Sequence, residues 1–458
     1  MPHEVDYLVI GAGAMGMAFT DTLLSETEAT VALVDRHHQP GGHWNYAYPF
    51  VQLHQPSSFY GVNSRKLGDD LIDTHGLNKG LYELATSGEI CAYFNNVMNR
   101  RFIPSGRVSY FPMCDYGGDG CFTSLMSGNK QTVTARTIVD ASYMNVTVPS
   151  MREPDFARDP AITCVPPNGL ARVSHESERY VVIGAGKTGI DCCLFLLAQG
   201  VEPANISWIM PRDSWLLDRA NIQSLDLLQD SLVGSFGNIF EAIAGAVSVA
   251  EVFERIEAGG QLLRLDGNIE PTMYRCATVT KSEVEQLRRI DDVIRLGRVQ
   301  RIESDKIVLD QGEVAVNPAT LFVDCTADGL ERRETRPVFD GRAITLQSVR
   351  TCQQVFSAAF IAHIEASGDD GHLKNELCTP VPHPDTALDF LRNTLADLHN
   401  GARWAEHPEI QQWLQTSRLD GFTQAGDPSA KAIANAERIA PLAEQAAAKL
   451  QQLLSAAG

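Results

Sequence analysis

Two stretches of the chain repeat the same order of apolar positions, glycines and helical spacing. They begin at Tyr7 and Tyr180, with the sequences YLVIGAGAMG and YVVIGAGKTG. In each, an apolar run predicts a strand, the G-x-G-x-x-G glycines predict a tight turn, and the spacing that follows predicts a helix. The first glycine permits the turn, the second lets a pyrophosphate approach the backbone, and the third allows the helix to pack closely on the strand. Two copies in the same context predict two dinucleotide-binding units.

The residues beyond each glycine turn predict two different nucleotides. After the first turn the next strand ends at Asp35, where a carboxylate is expected to accept hydrogen bonds from an adenosine ribose. After the second turn Met210 takes the corresponding place and Arg212 follows, which favours a ribose with a 2′-phosphate. Arg212 is alternatively a solvated loop cation, and Lys187 either adds positive charge near phosphate or points to water. We predict FAD in the first unit and NADPH, rather than NADH, in the second.

The predicted cofactor contacts lie in the glycine turns and at the ends of the strands that follow them. For FAD they are Gly11, Gly13, Ala14, Met15, Gly16, Asp35 and Arg36. For NADPH they are Gly184, Gly186, Lys187, Thr188, Gly189 and Arg212. The diphosphates are expected at the helix N-termini, where free N–H groups and the helix dipole favour anions.

The order of the elements predicts an α/β fold with two Rossmann-like dinucleotide-binding domains, for FAD and NADP, the second inserted in the first. We expect residues 1–165 to form the first part of the FAD-binding domain and residues 178–330 the NADPH-binding domain. Residues 331–458 would complete the FAD-binding domain and add C-terminal helices. Apolar positions at three- and four-residue spacing predict a helical insertion at about 214–290, which would be a lid, a substrate tunnel or an oligomer contact.

Residues 41–60, GGHWNYAYPFVQLHQPSSFY, carry many aromatic side chains for a loop beside a nucleotide-binding strand. Together with GAGAMG, Asp35 and GAGKTG, this stretch resembles the class B flavin-dependent monooxygenase superfamily, which includes flavin-containing and Baeyer–Villiger types. The family pattern here is G-G-x-W, then Tyr-Pro, a polar residue, a Ser and a Tyr, and this chain is similar to a divergent member. The resemblance implies further FAD contacts at Gly42, His43, Trp44, Ser57 and Tyr60.

In that family the polar residue of the pattern lies near the reactive edge of the flavin and is an Asp or an Asn, whereas here it is His54. His54 is our candidate catalytic residue, because a histidine donates or accepts hydrogen bonds and is neutral or cationic near pH 7. The alternative is a packed, hydrogen-bonded core residue. We expect two or three of the neighbouring rings to contact the cofactor, out of Trp44, Tyr46, Tyr48, Phe59 and Tyr60.

The resemblance implies an oxidoreductase, an FAD-containing, NADPH-dependent monooxygenase of a small organic substrate. NADPH would reduce FAD, and O₂ would add to give a C4a-(hydro)peroxyflavin that oxidises the substrate. The alternatives are an NADPH-dependent flavin dehydrogenase or oxidase without oxygen insertion, and a non-catalytic nucleotide-binding redox sensor. A disulfide reductase is disfavoured, because the sequence has no CxxC or CxxxxC pair.

Composition and charge argue against several other kinds of partner and site. The formal net charge of −19 argues against a nucleic-acid partner, whose phosphates require a basic face. No apolar run approaches the roughly 18 residues of a membrane span, and the N-terminus leaves no room for a signal peptide. The ten cysteines lack a framework spacing, which predicts reduced thiols and a cytoplasmic location, and no His/Cys cluster predicts a metal site. The sequence leaves open whether the protein forms a homo-oligomer.

Overall fold

The computed structural model describes residues 3–173, 177–368, 370–421 and 430–457. Within these ranges the chain forms twenty β-strands and twelve α-helices. The strands are β1 (His3–Ile10), β2 (Val31–Val34), β3 (Val108–Phe111), β4 (Cys114–Gly118), β5 (Cys121–Ser124), β6 (Lys130–Asp140), β7 (Ala157–Arg158), β8 (Cys164–Val165), β9 (Arg179–Ile183), β10 (Ile206–Ile209), β11 (Ser214–Asp218), β12 (Leu262–Leu263), β13 (Met273–Val279), β14 (Asp292–Ile294), β15 (Val299–Ile302), β16 (Lys306–Leu309), β17 (Gly312–Ala315), β18 (Thr320–Asp324), β19 (Phe339–Asp340) and β20 (Ala343–Thr345). The helices are α1 (Ala14–Glu26), α2 (Ser87–Val97), α3 (Pro167–Leu170), α4 (Lys187–Ala198), α5 (Gly234–Gly245), α6 (Val249–Ala258), α7 (Lys281–Leu287), α8 (Gln354–Ala366), α9 (Gly371–Leu377), α10 (Ala387–Ala405), α11 (Pro408–Thr416) and α12 (Ala430–Ala457).

The first glycine motif lies in a sheet whose main path has the strand order β19, β20, β6, β1, β2, β3. β1 pairs in parallel with β2 and β6, and β6 pairs in parallel with β20. Every residue of β2 is buried, as expected for a continuous apolar strand in a sheet covered on both faces. Helix α1 leaves β1 through the glycine turn and packs on α8. Because β20 and α8 come from the last third of the chain, that part completes the first nucleotide unit.

The second glycine motif lies in a separate parallel sheet with the strand order β14, β10, β9, β18, β8. β9 pairs with β10 on one side and with β18 on the other, and α4 connects β9 to β10. This arrangement confirms the predicted α/β fold with two Rossmann-like units.

The boundary between the two units differs from the expected one. β8 pairs with β18, and β7 pairs with β15 in a four-stranded sheet with β16 and β17. The structure therefore joins residues 157–165 to the sheets of the second unit, whereas we expected the first unit to extend to residue 165. Both strands are two residues long, and their partners lie far along the chain, so no local pattern marks them.

β6 and β18 end in the same way and occupy the same place beside the first strand of each unit. Asp140 Oδ1 accepts hydrogen bonds from the N–H and hydroxyl of Ser142, at 2.9 and 2.7 Å. Asp324 Oδ1 accepts the same two bonds from Thr326, at 3.0 and 2.6 Å. Both aspartates close the turn at the strand end, which is a structural role.

The insertion contains helices, as predicted, but it also contains a small sheet. α5 and α6 lie in its middle, whereas β11, β12 and β13 form a three-stranded sheet in the order β12, β11, β13. The predicted helical insertion at about 214–290 thus also contains strands, because β11 and β13 are short apolar runs whose pairing comes from tertiary contacts. Rings of Phe253, Tyr274 and Phe390 join this sheet to α6 and α10, with Tyr274 and Phe390 centroids 4.9 Å apart.

The C-terminal helix α12 packs against α5 and α10 rather than standing apart on the surface. Its residues Ala446, Leu450 and Leu453 are buried in the same apolar cluster as Phe253 and Tyr274. The three- and four-residue intervals between them place one stripe of the helix against the insertion. The last part of the chain therefore supports the insertion as well as the first unit.

The cysteines contradict the expectation that all ten are reduced thiols. Cys276 in β13 and Cys352, two residues before α8, form a disulfide across a sequence separation of 76 residues. The other eight are free thiols. Only the tertiary fold brings these two cysteines together, so their spacing in the sequence gave no sign of the pairing.

Neither a membrane-spanning helix nor a metal-ligand cluster occurs in the part of the chain that the structure describes. The 28-residue helix α12, for example, carries Glu437, Arg438 and Glu444 along its length.

Candidate active site

The first glycine turn has the geometry that its sequence predicts. Gly11 has φ +104°, a conformation that residues with a Cβ rarely adopt. A Cβ added at Gly16 would overlap the carbonyl oxygen of Gly11, so the third glycine allows α1 to pack on the turn. Gly13 is the N-cap residue of α1, and no side chain forms a capping hydrogen bond at this helix end. No acidic residue lies in the first helical turn. The N–H groups at this helix end are thus available to an anion.

The second glycine turn repeats this construction. Gly184 has φ +129°, and a Cβ added at Gly189 would overlap the carbonyl oxygen of Gly184. Trp208 in β10 locks the turn by donating its Nε1–H to that same oxygen at 2.8 Å. A Cβ added at Gly186, the N-cap of α4, would meet nothing within 4 Å. The backbone at Gly186 therefore faces open space that a diphosphate fits.

Both turns open into one cavity of about 1680 Å³. This volume exceeds the roughly 300–1,000 Å³ of an ordinary small-molecule pocket, and it suits two extended cofactors. Sixteen of the predicted site residues line it: Gly11, Gly13, Ala14, Met15, Asp35, Arg36, Gly42, His43, Trp44, His54, Tyr60, Gly184, Gly186, Lys187, Thr188 and Arg212. Gly16, Gly189 and Ser57 are outside this lining.

Ser57 has a structural role that the family pattern did not reveal. Its hydroxyl donates to the carbonyl of Glu83 at 3.0 Å and accepts from the N–H of Ala85 at 2.8 Å. The residue is 1% exposed. Ser57 thus holds the loop in place from behind, and its position does not support the predicted contact with FAD.

Asp35 lies directly after β2, buried, with its carboxylate held by the protein. Oδ2 accepts the N–H of Ala12, and Oδ1 accepts the backbone N–H of His37 at 2.7 Å and contacts His37 Nδ1 at 2.6 Å. A carboxylate oxygen has two lone pairs, so these bonds leave capacity for a ribose hydroxyl. Arg36 points outward and is 3.4 Å from Asp115.

His37 is a cavity residue that we did not select from the sequence. Its Nδ1 is bound to Asp35, and its Nε2 is buried without a hydrogen-bond partner. An unsatisfied buried ring nitrogen is costly unless a ligand or water supplies the missing bond. The available signal was its place two residues after the strand-end acid, which alone does not distinguish it from His38.

The aromatic stretch supplies part of the cavity wall. Trp44 donates its Nε1–H to the Tyr60 hydroxyl at 2.7 Å, and the two rings meet edge to face with centroids 6.0 Å apart. Trp44, Tyr48 and Tyr60 line the cavity, whereas Tyr46 is 43% exposed and Phe59 lies outside the lining. Three of the five selected rings therefore face the predicted cofactor space.

Two rings of the stretch also tie the nucleotide units together. Tyr48 donates its hydroxyl to Asp191 in α4 at 2.7 Å. Phe50, which we had not selected, stacks on Phe195 of α4 with centroids 4.1 Å apart. Asp191 also forms an ion pair with Lys187. The Lys187 side chain therefore lies at the cavity wall, paired with Asp191 of its own helix, rather than pointing to water.

His54 is fixed against the insertion. Its Nδ1 lies 2.8 Å from the hydroxyl of Thr278, and its carbonyl accepts bonds from that hydroxyl and from Arg219 Nε at 3.1 Å. Burial, reinforced by the positive charges of Lys187 and Arg219, lowers the pKa of His54 to about 3. The side chain is therefore neutral at neutral pH, and Nε2 is the ring nitrogen left to meet a ligand.

His43 is neutral for the same reason. Burial lowers its pKa to about 4, and the neighbouring His37 adds to the effect. Its ring lies beside Trp44, with centroids 5.0 Å apart. Both histidines that the sequence places in the wall thus act as hydrogen-bonding groups and not as charges.

Arg212 belongs to a cluster of three arginines around one acid. The Asp385 carboxylate forms ion pairs with Arg212 Nη1 at 3.0 Å, Arg275 Nε at 2.7 Å and Arg332 Nη2 at 3.0 Å. Burial opposes ionisation of Asp385, but hydrogen bonds from Arg212 and Arg275 hold its pKa below the ordinary value. Asp328 pairs with Arg275 at 3.1 Å. Three guanidinium groups against two carboxylates leave an excess positive charge beside the cavity.

The other members of this cluster were beyond local sequence reasoning. Arg275 lies in β13, Arg332 in the segment after β18, and Asp385 just before α10. Each is an ordinary charged residue in its own neighbourhood. Only the packing of the insertion and the C-terminal part against β10 brings them to Arg212.

Comparison with solved structures finds a similar fold in OTEMO, which was solved with FAD and NADP. A family model described as an NAD(P)-binding Rossmann-like domain matches residues 9–50. The structure of OTEMO in complex with FAD and NADP has a TM-score of 0.50 at 13% identity and covers 80% of this chain and 85% of its own. The FAD-bound form 2 of OTEMO has a TM-score of 0.51 at 13% identity, with 80% and 84% covered. The chain therefore shares its fold with OTEMO, which agrees with the fold that the sequence resemblance implied.

Closer relatives in sequence come from mycobacteria. "Uncharacterized protein Rv2000" of Mycobacterium tuberculosis is 55% identical over 418 residues, which are 91% of this chain and 78% of that protein. "Uncharacterized protein Mb2023" of Mycobacterium bovis matches with the same identity and coverage. The chain belongs to the same protein family as these mycobacterial proteins.

Proposed function

We propose that this protein is an FAD-containing, NADPH-dependent monooxygenase that oxidises a small organic substrate with O₂. The observation that carries the proposal is the single cavity into which both uncapped helix N-termini open. One electron donor and one flavin bound in the same cavity have the arrangement that hydride transfer between them requires.

FAD fits the first unit. The open N-terminus of α1 suits its diphosphate, and Asp35 has free lone pairs for the adenosine ribose. Gly42 packs directly against Gly13, where an added Cβ would lie 3.0 Å from Gly13 Cα. This close approach brings Trp44 and Tyr60 to the cavity wall beyond the diphosphate site.

NADPH fits the second unit better than NADH does. Met210 leaves no acid to repel a 2′-phosphate, and the arginine cluster around Asp385 supplies excess positive charge next to it. Arg212 is already positioned by Asp385 and by the carbonyl of Thr272, at 2.8 Å from Nη2. A positioned guanidinium loses less entropy on binding phosphate than a free surface arginine.

The bound flavin would supply the hydride acceptance and oxygen activation, and the chain's residues supply the surroundings. Trp44, Tyr48 and Tyr60 exclude water from the centre of the cavity. His54, neutral and anchored by Thr278, offers Nε2 as a hydrogen-bond partner to substrate or cofactor. Because it is not an imidazolium, it cannot serve as a strong acid at neutral pH.

Mixing the reduced holoprotein with O₂ in a stopped-flow spectrometer tests the proposal. We expect a transient absorbance distinct from both oxidised and reduced flavin before the oxidised spectrum returns. Trp44→Phe should shorten the life of that transient by loosening the wall, whereas the exposed Tyr46→Phe serves as the matched control and should leave it unchanged. Direct return to oxidised flavin with stoichiometric hydrogen peroxide would instead establish a dehydrogenase or oxidase.

A further inference from the structure

The disulfide between Cys276 and Cys352 lies in the wall of the same cavity. Its two halves come from different parts of the fold: Cys276 from the inserted sheet and Cys352 from the segment that leads into α8. A purely structural disulfide needs no access to a ligand cavity, so this placement points to chemistry.

Cys352 has surroundings that stabilise a thiolate. It lies immediately before Gln353, the N-cap of the 13-residue helix α8, and no side chain caps that helix end. His383 Nδ1 lies 3.7 Å from Cys352 Sγ. A helix N-terminus and a hydrogen-bonding imidazole both favour the charged sulfur over the neutral thiol.

Cys276 is aimed at the cavity by an irregularity in β13. The pairing of β11 with β13 shifts register between Trp215 and Leu217, whose partners are Tyr274 and Thr278. Cys276 lies between those partners with φ +54°, and Cys352 has φ +58°. Both half-cystines therefore adopt a left-handed backbone that residues with a Cβ rarely adopt. Bulges and outliers of this kind concentrate at functional sites.

Another close pair of sulfurs shows what an inert pair looks like. Cys192 Sγ and Cys325 Sγ are 3.5 Å apart, yet both residues are buried. Burial and the neighbouring Cys192 raise the pKa of Cys325, so its thiol stays protonated.

We propose that Cys276–Cys352 is a redox-active pair that exchanges with low-molecular-weight thiols entering the cavity. The external thiolate attacks Cys276 Sγ, the S–S bond breaks, and Cys352 leaves as the thiolate that α8 and His383 stabilise. A second external thiolate then attacks the external sulfur of the mixed disulfide, so that its bond to Cys276 Sγ breaks, the external disulfide forms and Cys276 leaves as a thiolate. Two external thiols are oxidised to one disulfide and the protein disulfide is reduced; of their two protons, one binds Cys276 and the other passes to solvent, because Cys352 stays a thiolate. The step requires neither FAD nor NADPH, so it stands or falls separately from the proposed function.

Native-state thiol labelling of the whole protein tests the proposal. Protein purified in air without reductant is treated with excess reduced glutathione or with buffer, freed of thiol, alkylated with iodoacetamide and mapped by peptide mass. We expect Cys276 and Cys352 to be unlabelled with buffer and both labelled after glutathione. The exposed Cys121 should be labelled in both samples and the buried Cys192 and Cys193 in neither, as internal controls. Two free thiols before treatment, or a disulfide that yields to glutathione only after denaturation, would overturn the proposal.

Single-cysteine variants test which sulfur leaves. Cys276→Ser keeps the Cys352 thiol and Cys352→Ser keeps the Cys276 thiol, and each is reacted with 2,2′-dithiodipyridine across a range of pH. Cys352 should have the lower apparent pKa and react about tenfold faster at neutral pH, because the α8 N-terminus and the His383 imidazole lie beside its sulfur. Adding His383→Gln to Cys276→Ser should raise that pKa. A lower pKa at Cys276 would overturn the assigned direction of attack.

Discussion

The two glycine turns have the same backbone and different side-chain surroundings. In both, the first glycine has a positive φ and the third leaves room for the turn's carbonyl. The first turn is followed by the buried Asp35, which the N–H groups of Ala12 and His37 hold. The second is followed by Arg212, which forms an ion pair with Asp385 as one of the cluster of three arginines around that acid.

This difference separates two parts of dinucleotide recognition. The repeated backbone provides an anion site at each helix end, whatever nucleotide is bound. The groups around the next strand then decide between a plain ribose and a phosphorylated one. Changes to the shared backbone should therefore abolish binding, whereas changes to the side chains should alter affinity or preference.

The third glycines give the largest expected effect. Gly16→Ala should leave the protein without FAD, because its Cβ would overlap the Gly11 carbonyl and push α1 off the turn at a cost of about 1–3 kcal/mol or more. Gly189→Ala should instead spare FAD and abolish NADPH binding, because its Cβ would overlap the Gly184 carbonyl in the same way. Flavin content per polypeptide after desalting and NADPH titration measure the two effects. Retention of full FAD by Gly16→Ala would show that the first turn does not carry the flavin.

Removal of the strand-end acid should come next in size. Asp35→Ala removes the ribose acceptor and leaves the N–H groups of Ala12 and His37 without a hydrogen-bond acceptor. FAD affinity should therefore fall by about 100-fold, or about 3 kcal/mol. The matched control is Asp324→Asn, which changes a strand-end acid of the other unit and should leave FAD affinity unchanged. Fluorescence titration of apoprotein with FAD measures both. Equal losses in the two variants would contradict separate roles for the units.

Arg212 sharpens the comparison by testing preference rather than binding. Arg212→Ala should raise the KM for NADPH by about tenfold and leave that for NADH nearly unchanged, because one charge-assisted phosphate contact is lost. Arg333→Ala is the control, since Arg333 pairs with Glu331 and lies outside the cavity lining. Steady-state kinetics with both nucleotides decides the matter. A matching rise for NADH would remove Arg212 from the 2′-phosphate site.

The last prediction concerns protein stability rather than nucleotide binding, at the neutral histidine between the units. The pKa of His54 is lowered to about 3 from 6.5, so below pH 6.5 the unfolded chain binds a proton that the folded chain does not. Stability should therefore fall as the pH drops from 6.5 towards 3, by about 1.4 kcal/mol per pH unit for this group. His54→Gln should make the loss shallower by about one proton. Denaturant unfolding at pH 7 and pH 5 measures the loss of unfolding free energy in the wild type and in His54→Gln. If the two proteins lose the same amount, His54 is not buried as a neutral group.

The sequence predicts those parts of the site that depend on neighbouring residues. The first glycine turn, Asp35 and Trp44 lie within 34 residues of one another along the chain, and their geometry follows from local backbone and packing rules. The late strands β6 and β18, which end in Asp140 and Asp324, are likewise repeated apolar runs in the sequence. The fold class follows from the same patterns.

The remaining parts depend on contacts between distant segments. The partners of Arg212 come from β13, from the segment after β18 and from the start of α10, and the disulfide joins residues 76 positions apart. The charge state of His54 depends on burial by the insertion, which sequence cannot measure. Ser57 shows the converse case, because its hydroxyl, at a matched family position, bonds to the loop backbone.

Anaerobic mixing of the FAD-loaded protein with NADPH tests the central claim most directly, namely that the two units present their cofactors to each other in one cavity. The account predicts that one equivalent of NADPH bleaches one equivalent of flavin per chain, and that NADH does so only at much higher concentration. A flavin that stays oxidised in the presence of bound NADPH would contradict the account.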